Sequence, residues 1–389
     1  MRGTIPVPPS MLRQSVLGLL ALVHAAFGHA ADEVHLFSSF RGNGEDGLHL
    51  AYSDDGLKWT ALNGDKPFLR PQVGGKLMRD PCIIQGPDGL FHMVWTTSWS
   101  DKGIGYANSR DLIKWSEQQF VPVMEHEPTA RNCWAPEITW DPDGKQFVIY
   151  WATTLPERFT ETAKAADNKG SNHRMYCTTT KDFKTYTPTR LFYEPGFNVI
   201  DSTILQDGKR WIMITKDETR HPPAKNLHVA TSEKATGPWS KAAEPFTPEG
   251  LWVEGPTAAK VGAFWHVYYD CYTKHRYGAM RTKDFKNWED VSDQLEVPGG
   301  MRHGTILTVG RDVLAPLLKD KAAAPAPALP DLHADPHITC FDGTYYIYRP
   351  PTPLFPPSEP APRLFQGPPA KSKFLAAELP PGPRWSDHL

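Results

Sequence analysis

The chain has 389 residues and a formal net charge of −2, so no basic face argues for nucleic acid. Its length allows one large domain or two small ones. Apart from one N-terminal stretch, no apolar run is long enough to cross a membrane.

Residues 1–30 read as an export signal. Met11-Leu12-Arg13 supplies a short basic region, Val16 to Phe27 an apolar core, and Gly28-His29-Ala30 small residues before a cut between Ala30 and Ala31. The run is short for a membrane anchor, so the expectation is a secreted or periplasmic protein, off the membrane once the signal is removed.

Residues 31–320 carry two interleaved repeats. In the first, a polar residue leads a run of β-formers into a Gly-containing turn and a second strand. Asp80 opens Pro81-Cys82-Ile83-Ile84 before Gly86-Pro87-Asp88-Gly89. Glu137 leads into Asp141-Pro142-Asp143-Gly144, Asp201 into Gln206-Asp207-Gly208, Glu254 into Val261-Gly262, and His303 into Gly310. The second repeat is a Ser or Thr, an Asp two places on, and an aromatic ring. Its copies run from Ser53 to Trp59, Ser109 to Trp115, Thr180 to Tyr186 and Thr282 to Trp288, and a weaker one, without the Asp, from Ser232 to Trp239. Repeats of roughly 50 residues, each with several short strands, predict an all-β chain folded as a five-bladed β-propeller. The first Ser-Asp-Trp copy precedes Asp80 and none follows His303. Blade five is therefore predicted to be shared, with outer strands from Val34–Trp59 and its inner strand from His303–Val309. Leu155–Asn172 and Met124–Arg131 read as loops that reach the cleft rim.

Residues 321–330 form an Ala/Pro linker. Residues 331–389 begin like a second copy of the same domain, with Asp335 leading Pro336-His337-Ile338 into Phe341-Asp342-Gly343 and Tyr345-Tyr346-Ile347-Tyr348. The pattern then stops in Pro-rich sequence, which is expected to be disordered. Asp335 has no partner acid and is expected to be inert. The five cysteines contain no CxxC pair and read as small apolar residues, with a Cys82–Cys133 bridge as the alternative.

The inner strands of a propeller line one funnel, so Asp80, Glu137, Asp201, Glu254 and His303 are expected to converge there. Four carboxylates together are costly unless they bind a cation or manage protons. One proton-holding carboxyl beside one ionised carboxylate is what glycoside hydrolysis requires. Taken singly, each Asp is also a good turn cap, and the thirteen tryptophans suit blade packing as well as sugar stacking.

Met78-Arg79-Asp80-Pro81, Trp134-Ala135-Pro136-Glu137, Val199-Ile200-Asp201, Val253-Glu254-Gly255-Pro256 and Arg302-His303-Gly304, in that order, resemble glycoside hydrolase family 43. This is a family of five-bladed propeller arabinosidases, arabinanases and xylosidases. The resemblance covers about residues 34–315. It implies an inverting mechanism with Asp80 as general base, Glu254 as general acid, and Asp201 raising and orienting the acid. Arg302 and His303 are expected to contact substrate, Trp134 to stack on a sugar ring or pack between blades, and Glu137, with a longer arm than the family's usual Asp, to reach sugar hydroxyls. His303 would touch a water-ligated ion, such as a structural calcium in the funnel, with no cofactor required. Inversion needs room for a water, so Asp80 and Glu254 are expected about 6.5–9.5 Å apart. Glu137 stands where the family often has Asp, and Ser202 where it often has Pro.

The expected partner is a plant-type carbohydrate, cleaved by a monomer acting as an arabinofuranosidase or xylosidase. Alternatives are a β-galactosidase-type exo-enzyme of the same fold and a non-catalytic carbohydrate-binding propeller. A retaining relative is disfavoured, because Arg79-Asp80-Pro81-Cys82 does not match the usual Asn-Asp-Pro-Asn.

Overall fold

The computed structural model describes residues 33–165, 169–319, 337–341 and 344–348. The expected signal (1–30), the linker, Asp335 and the Pro-rich tail lie outside the described residues.

Five antiparallel sheets follow the two repeats. Blade one is β4 (Arg79–Gln85), β5 (Phe91–Thr96), β6 (Ile104–Ser109) and β7 (Gln119–Val121). Blade two is β8 (Trp134–Asp141), β9 (Gln146–Thr154), β10 (His173–Thr180) and β11 (Arg190–Tyr193). Blade three has three strands, β12 (Val199–Asp207), β13 (Arg210–Asp217) and β14 (Leu227–Ser232). Blade four is β15 (Glu254–Val261), β16 (Phe264–Cys271), β17 (Arg276–Thr282) and β18 (Glu289–Asp290). Blade five joins both ends of the unit. β1 (Glu33–Ser39), β2 (His49–Ser53) and β3 (Thr60–Ala61) form its outer part, and β19 (Ile306–Gly310) pairs with β1 from Glu33↔Gly310 to Phe37↔Ile306. The innermost strands β4, β8, β12, β15 and β19 touch in sequence and β19 touches β4, which closes the ring. The predicted five-bladed propeller with a shared blade is the observed fold.

The Ser/Thr-x-Asp repeat has a local cause. It builds the turn after the third strand of a blade. Ser53 Oγ accepts the amide of Gly56 at 2.9 Å, Ser109 that of Leu112, Thr180 that of Phe183 and Thr282 that of Phe285, each also at 2.9 Å. Those four donor residues all have positive φ, from 54° to 71°. The Asp then accepts the next two amides, as Asp111 does from Ile113 and Lys114. In blades one and five the Trp closes the turn by donating its indole N–H to a turn carbonyl. The copy that lacks its Asp, at Ser232, belongs to the blade that lacks a fourth strand.

The core is divided into wedges, one between each pair of blades. Trp95 and Trp151 are fully buried in two of them. Burying such a ring contributes about 2–3 kcal/mol each. Cys82, Cys133, Cys177 and Cys271 are buried free thiols, so the alternative of a Cys82–Cys133 bridge is not realised. Beyond β19, Arg311–Lys319 forms helix α1, which the sequence reading did not anticipate. Its Leu314 and Leu317 pack with Val34 and Val309. A separate unit contains an antiparallel hairpin, β20 (His337–Phe341) with β21 (Thr344–Tyr348).

Candidate active site

Four inner strands carry the same irregularity near their start. Each has one extra residue relative to its neighbour: between Arg79 and Cys82, Trp134 and Glu137, Ile200 and Ser202, and Glu254 and Thr257. At each of these bulges one residue takes a left-handed backbone: Asp80 (φ 52°), Ala135 (44°), Asp201 (48°) and Gly255 (59°). Proline follows in three of the four, which a bulge tolerates because the ladder N–H is not needed there. The bulge, more than the first polar residue, sets the register of the blades. Asp80 and Asp201 occupy it, Glu254 comes one residue before it, and Glu137 two residues after it.

The bulges are stitched from blade to blade. The Ala135 amide donates to Thr96 Oγ1 of blade one at 2.8 Å, and the Gly255 amide donates to Asp201 Oδ2 of blade three at 3.0 Å. A Cβ on Gly255 would lie 2.4 Å from the His303 ring, so both its φ and this close approach require glycine.

Asp80, Asp201 and His303 meet at the funnel end. His303 Nδ1 lies 3.3 Å from Asp80 Oδ1 and 3.9 Å from Asp201 Oδ2. Thr96 Oγ1 donates to Asp80 Oδ2 at 2.8 Å. Burial alone would raise Asp80, but the His303 hydrogen bond and charge, Arg79 and Thr96 outweigh it and hold its carboxyl at about 2. Burial likewise opposes charge on His303, yet Asp80, Asp201 and Glu137 together lift the imidazole to about 9. Asp201 is raised above the usual carboxylate range, first by burial, with Glu254 and Asp80 adding like-charge repulsion against His303 and Lys216.

The Glu254 neighbourhood differs from the expectation of Asp201 alone. Arg302 donates to Glu254 Oε1 at 2.9 Å and Lys216 to Oε2 at 3.3 Å. Arg302 also reaches Asp270 Oδ2 at 2.7 Å, clamping two carboxyls that face each other across β15 and β16. Burial and then the Glu254 charge raise Asp270.

Glu137 was expected to reach the substrate. It is 4 % exposed, as buried as Asp201 and His303, and accepts a hydrogen bond from the Tyr150 hydroxyl at 2.9 Å. Two residues beyond the bulge it stays within electrostatic reach of His303 and Asp201, and burial pushes it up to about 7. Trp134 is half-buried. Its edge meets Trp99 at 5.6 Å, its ring lies 4.8 Å from that of His173, and its N–H donates to the Trp99 carbonyl. Trp99, half exposed, stacks under the Arg79 guanidinium at 4.3 Å and was not singled out from sequence. The two predicted rim loops are tied together by the Glu127–Arg158 pair and by Arg131 donating to the Lys169 carbonyl.

Lys216, Asp270 and Thr96 share a sequence signal. Each lies on a second strand, directly opposite the residue before a bulge: Ile200↔Lys216, Glu254↔Asp270 and Arg79↔Thr96. Among the described residues no group of three or more His, Cys, Asp or Glu is arranged to hold a metal ion. His303 turns its Nδ1 to Asp80. Among the described residues no helix is long and apolar enough to cross a membrane.

Comparison with known proteins identifies the family. The family model Glyco_hydro_43_rel, described as "Probable glycosyl hydrolase domain", matches residues 32–314. An α-L-arabinofuranosidase of Bifidobacterium longum subsp. longum is 25 % identical over 242 residues, which cover 54 % of this chain and 23 % of that protein. The chain thus spans under a quarter of that relative. Among solved structures, an α-L-arabinofuranosidase of Lactobacillus brevis has a TM-score of 0.44 at 17 % identity, covering 55 % of this chain and 72 % of the other. An exo-β-1,3-galactanase of Phanerochaete chrysosporium has 0.44 at 12 %, covering 58 % and 52 %. With the match running through every blade and across Asp80, Asp201, Glu254 and His303, the chain belongs to the glycosyl hydrolase family related to family 43.

Proposed function

We propose that the protein is an exported glycosidase that hydrolyses pentosyl residues, arabinofuranosyl or xylosyl, of plant-type polysaccharides with inversion. The observation that carries this reading is the unlike state of carboxyls gathered at one funnel end. Asp80 is held ionised at about 2, while Asp201 and Asp270, buried around Glu254, retain protons to higher pH. An ionised carboxylate and proton-holding carboxyls thus share one funnel end, the mix that glycoside hydrolysis requires.

In this reading Asp80 removes a proton from a water as that water attacks the anomeric carbon. The bond to the leaving oxygen breaks, and Glu254 gives that oxygen its proton. His303 keeps Asp80 ionised and Asp201 orients the acid through the Gly255 amide. Arg302 steadies Glu254 from the rim, and Trp134 and Trp99 offer an aromatic wall for sugar C–H faces. The joined segments 124–131, 155–165 and 169–172 form one rim that selects the sugar. No step runs through a metal or cofactor. Export rests on the N-terminal signal pattern.

The test is hydrolysis of a panel of nitrophenyl glycosides by the full chain, with Asp80→Asn alongside. Cleavage of one pentoside, lost in the variant, supports the reading. Cleavage of a galactoside alone would move it to the exo-galactosidase alternative. Binding of arabinan or xylan with no hydrolysis of either polymer would favour a carbohydrate-binding propeller.

A further inference from the structure

The mechanism above gives the buried Lys216 no task. Lys216 is 1 % exposed, on β13 opposite the residue before the blade-three bulge. Its ammonium lies 2.6 Å from Glu218 Oε2, 3.3 Å from Glu254 Oε2 and 4.9 Å from the centre of the Tyr272 ring. Glu218 also holds Lys225, a second buried lysine. One glutamate between two ammonium groups leaves a positive charge over. Glu254 supplies the matching anion, and the charges then alternate from Lys225 through Glu218, Lys216 and Glu254 to Arg302 and Asp270.

We propose that Lys216 is a positioning residue that serves as counter-ion to Glu254 once its proton has gone, and that Glu218 sets how firmly Lys216 does so. This inference rests on Glu254 being the general acid. As the bond from the anomeric carbon to the leaving oxygen breaks, the Glu254 O–H bond breaks too and its proton passes to that oxygen. The electron pair stays on the Glu254 carboxylate, where Lys216 and Arg302 face it. Water's proton goes to Asp80, then to solvent, and Glu254 is reprotonated from solvent, so the cycle balances. The unequal distances fit the role: Lys216 rests closer to Glu218 and stays within reach of Glu254.

Every element around Glu254 contributes a charged or titratable group. Asp201 comes from β12, Lys216 from β13 and Glu218 from the turn after it. Asp270 comes from β16, Tyr272 follows it, Tyr277 lies on β17, and Arg79 on β4. Arg302 and His303 precede β19. Of these, Lys216 and Arg302 make direct ion pairs with it.

The experiment compares kcat/KM against pH for the full chain, Lys216→Met and Glu218→Gln, on the nitrophenyl glycoside that the enzyme cleaves. An opposite charge at this range favours the ionised form. Loss of Lys216 is expected to move the alkaline limb up by about one pH unit. Loss of the Glu218 charge frees Lys216 for Glu254 and is expected to move the same limb down. Shifts of opposite sign support the proposal. Lower kcat with both limbs unmoved, or shifts of the same sign, overturn it. If Lys216→Met does not fold, the Glu218→Gln shift decides alone. Glu254→Gln is assayed in parallel on dinitrophenyl and alkyl glycosides. Equal loss on both would remove Glu254 as the acid and the proposal with it. Loss confined to alkyl glycosides, with unmoved limbs in the other variants, overturns the role of Lys216 and leaves the acid in place.

Discussion

The buried imidazolium of His303 links stability to pH in a defined window. Its proton affinity rises from an ordinary 6.5 to about 9, because the Asp80 hydrogen bond and the Asp201 and Asp80 charges outweigh the burial that opposes it. At about 1.4 kcal/mol per tenfold in proton affinity, the linkage is worth about 3.5 kcal/mol. A raised affinity in the folded state stabilises fully below pH 6.5, and the stabilisation is lost as pH rises through 9. Urea unfolding of the protein and of His303→Gln, at steps from pH 6 to pH 10, measures it. At pH 6 the variant is expected to be less stable, because Asp80 and Asp201 lose the charge between them. Toward pH 10 the two curves are expected to converge as the native histidine gives up its proton. A gap that stays constant across that range would refute the charged imidazole and with it the account of why Asp80 remains ionised.

Other substitutions test the remaining parts. Asp80→Asn is expected to lower kcat/KM by about 10²–10⁴-fold with the thermal midpoint little changed, as for loss of a general base. Because Asp80 stays ionised down to about pH 2, the acid limb of the native pH–rate profile should lie above that and belong to another group. Gly255→Ala puts a Cβ at a φ of 59° and against the His303 ring, and calorimetry should record a loss of about 2–4 kcal/mol. Glu137→Gln should raise stability by about 3 kcal/mol above pH 7. The native carboxyl, lifted from 4.5 to about 7, favours folding below pH 4.5 and loses that contribution as pH rises through 7. A rise in KM with no gain in stability would refute the buried, proton-holding carboxyl and place Glu137 against the substrate.

The blades were legible because both repeats have local causes. The Ser/Thr-x-Asp turn satisfies its own backbone amides, so the residues must recur wherever the turn recurs. Asp80 and Asp201 were legible because they sit on the bulge itself. Glu137 sits differently on its strand. In blade two the left-handed position is taken by Ala135, and the carboxylate lies two residues on, where a strand turns it inward. Period-two logic holds only once the bulge is located. Lys216 and Asp270 stayed unplaced because the hairpin register brings them to the site. That register depends on the extra residue in the partner strand, which composition and alternation do not reveal.

The shared blade also dictates an order of events. Ser38 and Thr305, which hydrogen-bond to each other across blade five, are 267 residues apart. During synthesis β1 emerges first and must wait, with its inner edge unpaired, until β19 has been made. Blades one to four are each built from neighbouring segments and can form as they appear, at low loop-closure cost. The ring then closes late, over the longest loop in the unit. Until that moment the His303 side chain is absent from between Asp80 and Asp201. The catalytic end of the funnel is therefore the last part of the propeller to mature, and a chain stopped before residue 303 would carry two facing carboxylates beside an open sheet edge.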